Sequence, residues 1–159
     1  MLFRSFIAAK YSLEQNLGWA QITLPIIIGA IAASILNGAS NSINQIYDYE
    51  IDKINKPSRL LPSKQITFKE AWLITIITYF ISLGLAFYIG FGCFLIFLAA
   101  AIFTIFYSVP PIRTKRHWLT AAFTIAIPRG TLLKVAGWAV LMPVNHFEPW
   151  YVGDRKSVV

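Results

Sequence analysis

The chain is short of charge, and of negative charge above all. Only 13% of its 159 residues are charged, and 7 acidic residues stand against 14 Lys and Arg. A soluble domain carries about a quarter charged residues. At 57% hydrophobic residues, this chain has too little polar surface to cover itself in water, and an integral membrane protein is expected. Cysteine is nearly absent as well. Cys93 is alone inside an apolar run, which excludes an intramolecular disulfide and a thiolate metal cluster within the chain. No second histidine stands at a zinc-ligand spacing from His117, so a histidine metal site is excluded too. The first fifteen residues carry Arg4, Lys10 and Glu14 and do not read as a signal peptide, which needs an uninterrupted apolar centre. The formal net charge of +7 raises nucleic acid as a partner. The cations, however, lie in short loops between apolar runs, with no basic stripe interleaved with stacking aromatics. No nucleic acid is expected; lipid headgroups and phosphorylated ligands suit this pattern.

What the chain has is long apolar runs. A span from about Trp19 to Ser40 is long enough to cross a hydrocarbon core of about 30 Å at about 1.5 Å per residue. Trp19 suits its interfacial end, and Gly29, Ala30, Ala32, Ala33 and Gly38 offer small surfaces for close packing. Further spans are expected from Trp72 to Ile89, from Phe91 to Val109 and from Trp118 to Leu141. Phe6 to Leu17 reads as an interfacial helix or the end of another segment, and Pro143 to Trp150 as a return to the interface. Thr67, with Glu70 three residues on, forms a capping-box pattern for the second span. The fold class is therefore all-α, an integral membrane helical bundle with about four complete transmembrane helices. Leu2 to Ser5 and Asp154 to Val159 look like translated sequencing-adapter DNA, so residues 1–5 and 154–159 are expected to be artefacts flanking a partial domain at 6–153.

The first apolar run ends in a row of amides and carboxylates. If the helix continues, Asn37, Asn41, Asn44, Asp48 and Asp52 share one stripe, since their spacings are four, three, four and four. Polar oxygens at the mouth of a membrane helix are costly and are functional candidates. Asp48 and Asp52, one turn apart, can converge on a hard cation with Asn44 adding a neutral oxygen. Mg²⁺ suits such a set, because it commonly combines a few carboxylates with substrate phosphates. Lys56 and Arg59 follow directly, and a second basic loop carries Arg113, Lys115 and Arg116. Together they can neutralise a diphosphate and stabilise it as a leaving group. Lys53, Lys56, Arg59, Lys64 and Lys69 lie in one loop region and Arg113, Lys115 and Arg116 in the other, while the Gly90 turn between them is uncharged. The positive-inside rule puts both loops and the acidic stripe on the cytoplasmic side of an inner or cytoplasmic membrane.

These residues carry a resemblance. Asn44-Gln-Ile-Tyr-Asp48-Tyr-Glu-Ile-Asp52, followed by Asn55-Lys-Pro57-Ser-Arg59 and Pro62-Ser63, resembles the first aspartate-rich motif of the UbiA-type membrane prenyltransferases. Tyr107 to Arg116 is similar to a later inter-helix loop of that family. The resemblance implies a bundle of roughly nine helices and Mg²⁺-dependent transfer of a prenyl group from a polyprenyl diphosphate to an aromatic or other lipophilic acceptor. Asn44, Asp48 and Asp52 would hold the metal and act in catalysis with Lys56 and Arg59. Asn41, Tyr107, Arg113, Lys115 and Arg129 would contact substrate. Two departures stand out. Gln45, where many members have aspartate, resembles homogentisate-type enzymes, whereas Arg59 and Pro62-Ser63 look like the wider family, so the acceptor type stays open. Nothing after Val109 offers the second aspartate-rich motif, since Glu148 stands alone; half an active site, inactive by itself, is implied.

Plainer roles stand beside these. Asn37 and Asn41 serve equally well as hydrogen-bonding groups between helices. Lys64, Lys69 and Arg116 read as topology determinants, His117 as a solvated loop residue, and Glu50 as a partner of Lys53. Tyr47 and Tyr107 are either interfacial anchors or rings facing a cationic intermediate. Lys134 and Arg129, inside the last span, face the bundle interior or snorkel. Two other classes remain: a transporter or cation-pathway fragment using the same Asn/Asp stripe, and a non-catalytic membrane protein.

Overall fold

The computed structural model describes residues 19–141, with side chains throughout except at positions 19–21, 129–131, 133 and 134. Every regular element among the described residues is helical. Helix α1 is Trp19–Tyr47 and the short α2 is Tyr49–Asn55. Helix α3 is Phe68–Ile89 and α4 is Phe91–Ser108. A 3₁₀ turn at Thr114–Arg116 leads to α5, Trp118–Ala126, then a π-helical stretch at Ile127–Leu132 and α6, Leu133–Ala139. Among the described residues three helices, α1, α3 and α4, are long and apolar enough to cross a membrane. The expected interfacial segment at Phe6–Leu17, the return at Pro143–Trp150, Glu148 and both terminal tags lie outside the described residues.

Helix α1 has 29 residues, about 43 Å at 1.5 Å per residue, against a hydrocarbon core of about 30 Å. The helix thus exceeds the core by about 13 Å, enough for its last turns, which carry Asn41 and Asn44, to stand clear of it. Helices α3 and α4 are joined through Gly90 alone, which sends α4 back along α3. The loops before α3 and after α4 consequently meet at one end of the bundle, as the charge pattern implies.

Small residues set the packing. Ala32 and Ala86 are fully buried, and Ser82, equally buried, donates to the Ala32 carbonyl across the α1–α3 interface at 2.8 Å. The Tyr79 and Thr104 hydroxyls pair at 2.7 Å between α3 and α4. Such polar contacts are each worth about 0.6 kcal/mol in a membrane bundle. Leu36, Ile96, Phe97 and Val135 complete the core, while Leu73, Ile77, Phe80 and Phe87 remain exposed on α3, where lipid rather than water is the solvent.

Two of the expected helical segments carry an interruption. The fourth crossing is not one regular helix: the chain is helical from Trp118 to Ala139 in three pieces, with a π-helical turn around Pro128. Proline has no N–H for the regular ladder and its ring crowds the preceding turn, so the backbone shifts its hydrogen bonding there. The polar stripe is not one straight helix either. It is interrupted for one residue at Asp48 (φ −100°, ψ 10°), between α1 and α2, while the Asp48 N–H still donates to the Asn44 carbonyl at 3.0 Å and the Asp52 N–H to the Asp48 carbonyl at 2.8 Å.

The capping box forms as its pattern requires. Thr67 Oγ1 accepts from the Glu70 backbone N–H, and the Thr67 N–H donates to Glu70 Oε2 at 2.7 Å. Before it, the loop is pinned by Leu61, which is buried with Ile46 and Ala71. Lys64 takes a left-handed conformation (φ 59°) where the chain reverses.

Candidate active site

Between α1, α4 and the α5–α6 segment lies a cavity of about 1020 Å³. Its α1 wall presents Asn37, Ser40, Asn41 and Asn44 along one face; Ile96, Phe97, Ala100 and Phe103 of α4 make the facing wall apolar, with Thr104 and Tyr107 towards the loop end. Asn37 and Asn41 thus turn to the cavity. Among the described residues neither is hydrogen-bonded to a neighbouring helix.

At the loop end the electrostatics concentrate on Asp48. Its Oδ1 accepts from Lys115 Nζ at 2.6 Å and from Arg113 Nη2 at 3.0 Å, across 67 and 65 residues of chain. Arg113 Nη2 also lies 3.2 Å from the Tyr47 carbonyl, one of the carbonyls that a helix end leaves without an internal partner. Lys115 Nζ reaches Asn44 Oδ1 at 2.8 Å, and the buried Ser108 hydroxyl donates to the same oxygen at 3.2 Å. Asp48, Arg113 and Lys115 are each less than a fifth exposed, so salt screens these pairs little and removing one partner would leave a poorly solvated charge behind. The Arg113 backbone is left-handed (φ 31°, ψ 61°), a conformation that a side chain disfavours; the guanidinium contacts to α1 are what accompany it.

Asp52 is served separately. Buried at 5% exposure, it pairs with Arg59. Leu61, two residues beyond, is the anchor that holds the loop, and therefore Arg59, against α2. Lys56 is exposed beyond α2 and makes no ion pair among the described residues. Glu50 pairs with Lys53 at 3.5 Å on the exposed side, as expected.

The sequence-derived site residues thus divide. Asn41, Asn44, Tyr107, Asp48, Arg113 and Lys115 gather at the cavity and its mouth, with the Tyr107 ring centroid 6.0 Å from Lys115 Nζ. Asp52 and Arg59 form an adjoining pair. Lys56 stands outside. Arg129 is in the π-helical turn, and its side chain, like that of Lys134, lies outside the described residues. Tyr47 packs edge-on against Trp72 with centroids 5.9 Å apart, an anchor rather than a ring lining the cavity. Asp48 and Asp52, whose spacing lets them converge on one cation, are each paired with cationic side chains here, Asp48 with Arg113 and Lys115 and Asp52 with Arg59, because two different loops supply the charges. Two participants were missed. Ser108 was within the quoted loop motif but carries no charge to draw notice, and Leu61 reads as one more apolar residue.

For a metal, the donor set is hard oxygen: two carboxylates and the Asn44 amide. No cluster of three His, Cys, Asp or Glu exists among the described residues. Such a partial set suits Mg²⁺, which readily takes its remaining ligands from phosphate and water.

The UbiA prenyltransferase family model matches residues 2–153. The chain belongs to the UbiA prenyltransferase family. Among UbiA-related proteins it is 31% identical over 130 residues to the bacteriochlorophyll synthase 34 kDa chain of Chloroflexus aurantiacus, covering 81% of this chain and 42% of that one. It is 37% identical over 120 residues to digeranylgeranylglyceryl phosphate synthase of Methanosphaera stadtmanae, covering 76% and 43%. Against homogentisate solanesyltransferase of Arabidopsis thaliana identity is 37% over 115 residues, covering 70% and 29%. The chain therefore spans less than half the length of these UbiA relatives. No solved structure matches it. The helical architecture of the described residues, their three helices long and apolar enough to span a membrane and the family membership agree on an integral membrane protein.

Proposed function

We propose that this chain carries the diphosphate-binding part of a membrane prenyltransferase that moves a prenyl group from a polyprenyl diphosphate to an aromatic or other lipophilic acceptor. What supports the reading most is the meeting of Asn44 and Asp48 with Arg113 and Lys115, from a distant loop, at the mouth of an apolar cavity. A carboxylate–cation cluster beside an apolar chamber fits a substrate with a polyanionic head and a hydrocarbon tail.

Asn44, Asp48 and Asp52 would hold Mg²⁺, which when bound supplies positive charge to the diphosphate oxygens. The remaining work falls to the chain. Arg59, Arg113 and Lys115, with Lys56 from the exposed rim, take up the negative charge that grows on the diphosphate as the allylic C–O bond breaks and its electron pair leaves with oxygen. Ile96, Phe97 and Phe103 keep water from the allylic cation, and Tyr107 presents its ring near the mouth, where cation–π attraction is worth about 0.5 to 2 kcal/mol. The acceptor then attacks the cation and loses a proton. Asn37 and Asn41 are placed to orient it. By the cation distribution of its loops the site faces the cytoplasm.

The chain supplies the first aspartate-rich motif, and the account assigns the second to polypeptide beyond residue 153. Reading the flanking DNA outward should reveal a continued frame with a second paired-aspartate helix. In that longer protein, Asp48→Ala should abolish prenyl transfer from an allylic diphosphate across a panel of phenolic and lipid acceptors. Transfer at the wild-type rate in the Asp48→Ala protein would sink the assignment.

A further inference from the structure

Lys115 occupies an unusual position for a substrate-binding cation. Its ammonium bridges Asn44 Oδ1 at 2.8 Å and Asp48 Oδ1 at 2.6 Å, on two of the residues proposed above to hold a divalent ion. An amide oxygen has two lone pairs, and at Asn44 both are engaged, one by Lys115 and one by Ser108. Asp48 Oδ1 likewise accepts from both Lys115 and Arg113. A divalent ion held by Asn44 and Asp48 would compete with the ammonium for these side chains and be repelled by its charge.

The groups bonded to Asn44 and Asp48 differ in their freedom to withdraw. Ser108 is buried at 1% exposure on the last turn of α4, and its short side chain cannot withdraw. Arg113 is tied to the Tyr47 carbonyl as well as to Asp48. Lys115 sits on a flexible four-carbon stem with three rotatable donors, in a 3₁₀ turn. We propose that Lys115 is a tethered cation that holds Asn44 and Asp48 in ligating position, yields them to the divalent ion, and moves its ammonium to the diphosphate as the two arrive together. It is a positioning residue before it is a substrate contact. The inference rests on the reading of Asn44 and Asp48 as metal ligands. Its consequence is that metal alone competes with Lys115, whereas metal arriving with diphosphate gives Lys115 a new anion and avoids that competition.

The test uses the chain in lipid nanodiscs, with Mn²⁺ alone as the probe and free Mn²⁺ read by electron paramagnetic resonance. Lys115→Met should bind Mn²⁺ on the order of tenfold more tightly than wild type, the scale of removing one part-buried competing charge. Lys115→Arg should stay close to wild type, and Lys69→Met, an exposed change in the first turn of α3 away from the cluster, should do nothing. Mn²⁺ affinity of Lys115→Met equal to or weaker than wild type overturns the proposal. Asp48→Asn separates the two claims: if it loses Mn²⁺ while Lys115→Met matches wild type, the metal site stands and the exchange falls. If Asp48→Asn binds as wild type does, or no variant binds, the metal assignment falls and the exchange with it. A second readout needs no variant. Acylation of Lys115 by a water-soluble amine-reactive ester, followed by mass spectrometry, should accelerate when Mn²⁺ is added, and an unchanged rate contradicts displacement.

Discussion

Asp48→Asn keeps the shape of the side chain and removes its charge, and the structure says what that does to the loop at residues 109–117. That loop reaches α1 through Arg113 and Lys115, and the shared acceptor is Asp48 Oδ1, at 3.0 and 2.6 Å. At an effective dielectric of about 20, each pair attracts by about 5 to 6 kcal/mol before desolvation. Desolvation returns a large part of this, and removing one partner of a buried pair costs about 3 to 5 kcal/mol. The groups here are 13 to 18% exposed, so the lower figure applies, about 3 kcal/mol. With Asn at position 48, Arg113 and Lys115 face each other near a neutral amide. Local opening of the loop should then become about 100-fold more frequent, since each 1.36 kcal/mol is a factor of ten. Hydrogen exchange with mass spectrometry in nanodiscs reads this in peptides covering 109–117. The loop at 56–66 serves as the internal reference, because Leu61 and the Arg59–Asp52 pair hold it without Asp48. Exchange within twofold of wild type at 109–117 would refute the claim that Asp48 holds the loop.

The same reasoning reaches other positions. Leu61→Ala removes the buried anchor under the first loop and should cost about 2 to 3 kcal/mol; exchange should rise in 56–66 and stay unchanged in 109–117, the mirror image of Asp48→Asn. Ala100→Phe places a large ring in the apolar wall of the cavity. In the longer protein it should lower transfer from long-chain allylic diphosphates by tenfold or more and spare the shortest chains, read from initial rates across a chain-length series.

Much of this was legible in the sequence because membrane burial and charge leave strong marks. The apolar runs, the Thr67–Glu70 cap, the shared face of the two basic loops and the Glu50–Lys53 pair each follow from local rules, and each is found. The meeting of Asp48 with Arg113 and Lys115 was legible only as a shared face. Which carboxylate takes which cation depends on how the two loops fold back onto α1 and α2, and spacing along one helix does not give that. Spacing alone therefore put Asp48 and Asp52 on one stripe. Pro128 did announce a disturbance, yet a hydropathy reading counts residues and passes over a π-helical turn. Ser108 and Leu61 escaped because their importance comes from neighbours distant in sequence, Asn44 for one and Ile46 with Ala71 for the other.

The central claim is that Asn44, Asp48 and the cations from two loops form a metal-dependent diphosphate site. Equilibrium binding of a radiolabelled allylic diphosphate to the nanodisc-embedded chain tests it most directly, in Mg²⁺ and in a chelator, for wild type and Asp48→Asn. The account predicts retention that requires Mg²⁺ and is lost in Asp48→Asn. Retention unaffected by either change would contradict it, because the ligand would then be held by its hydrocarbon tail alone.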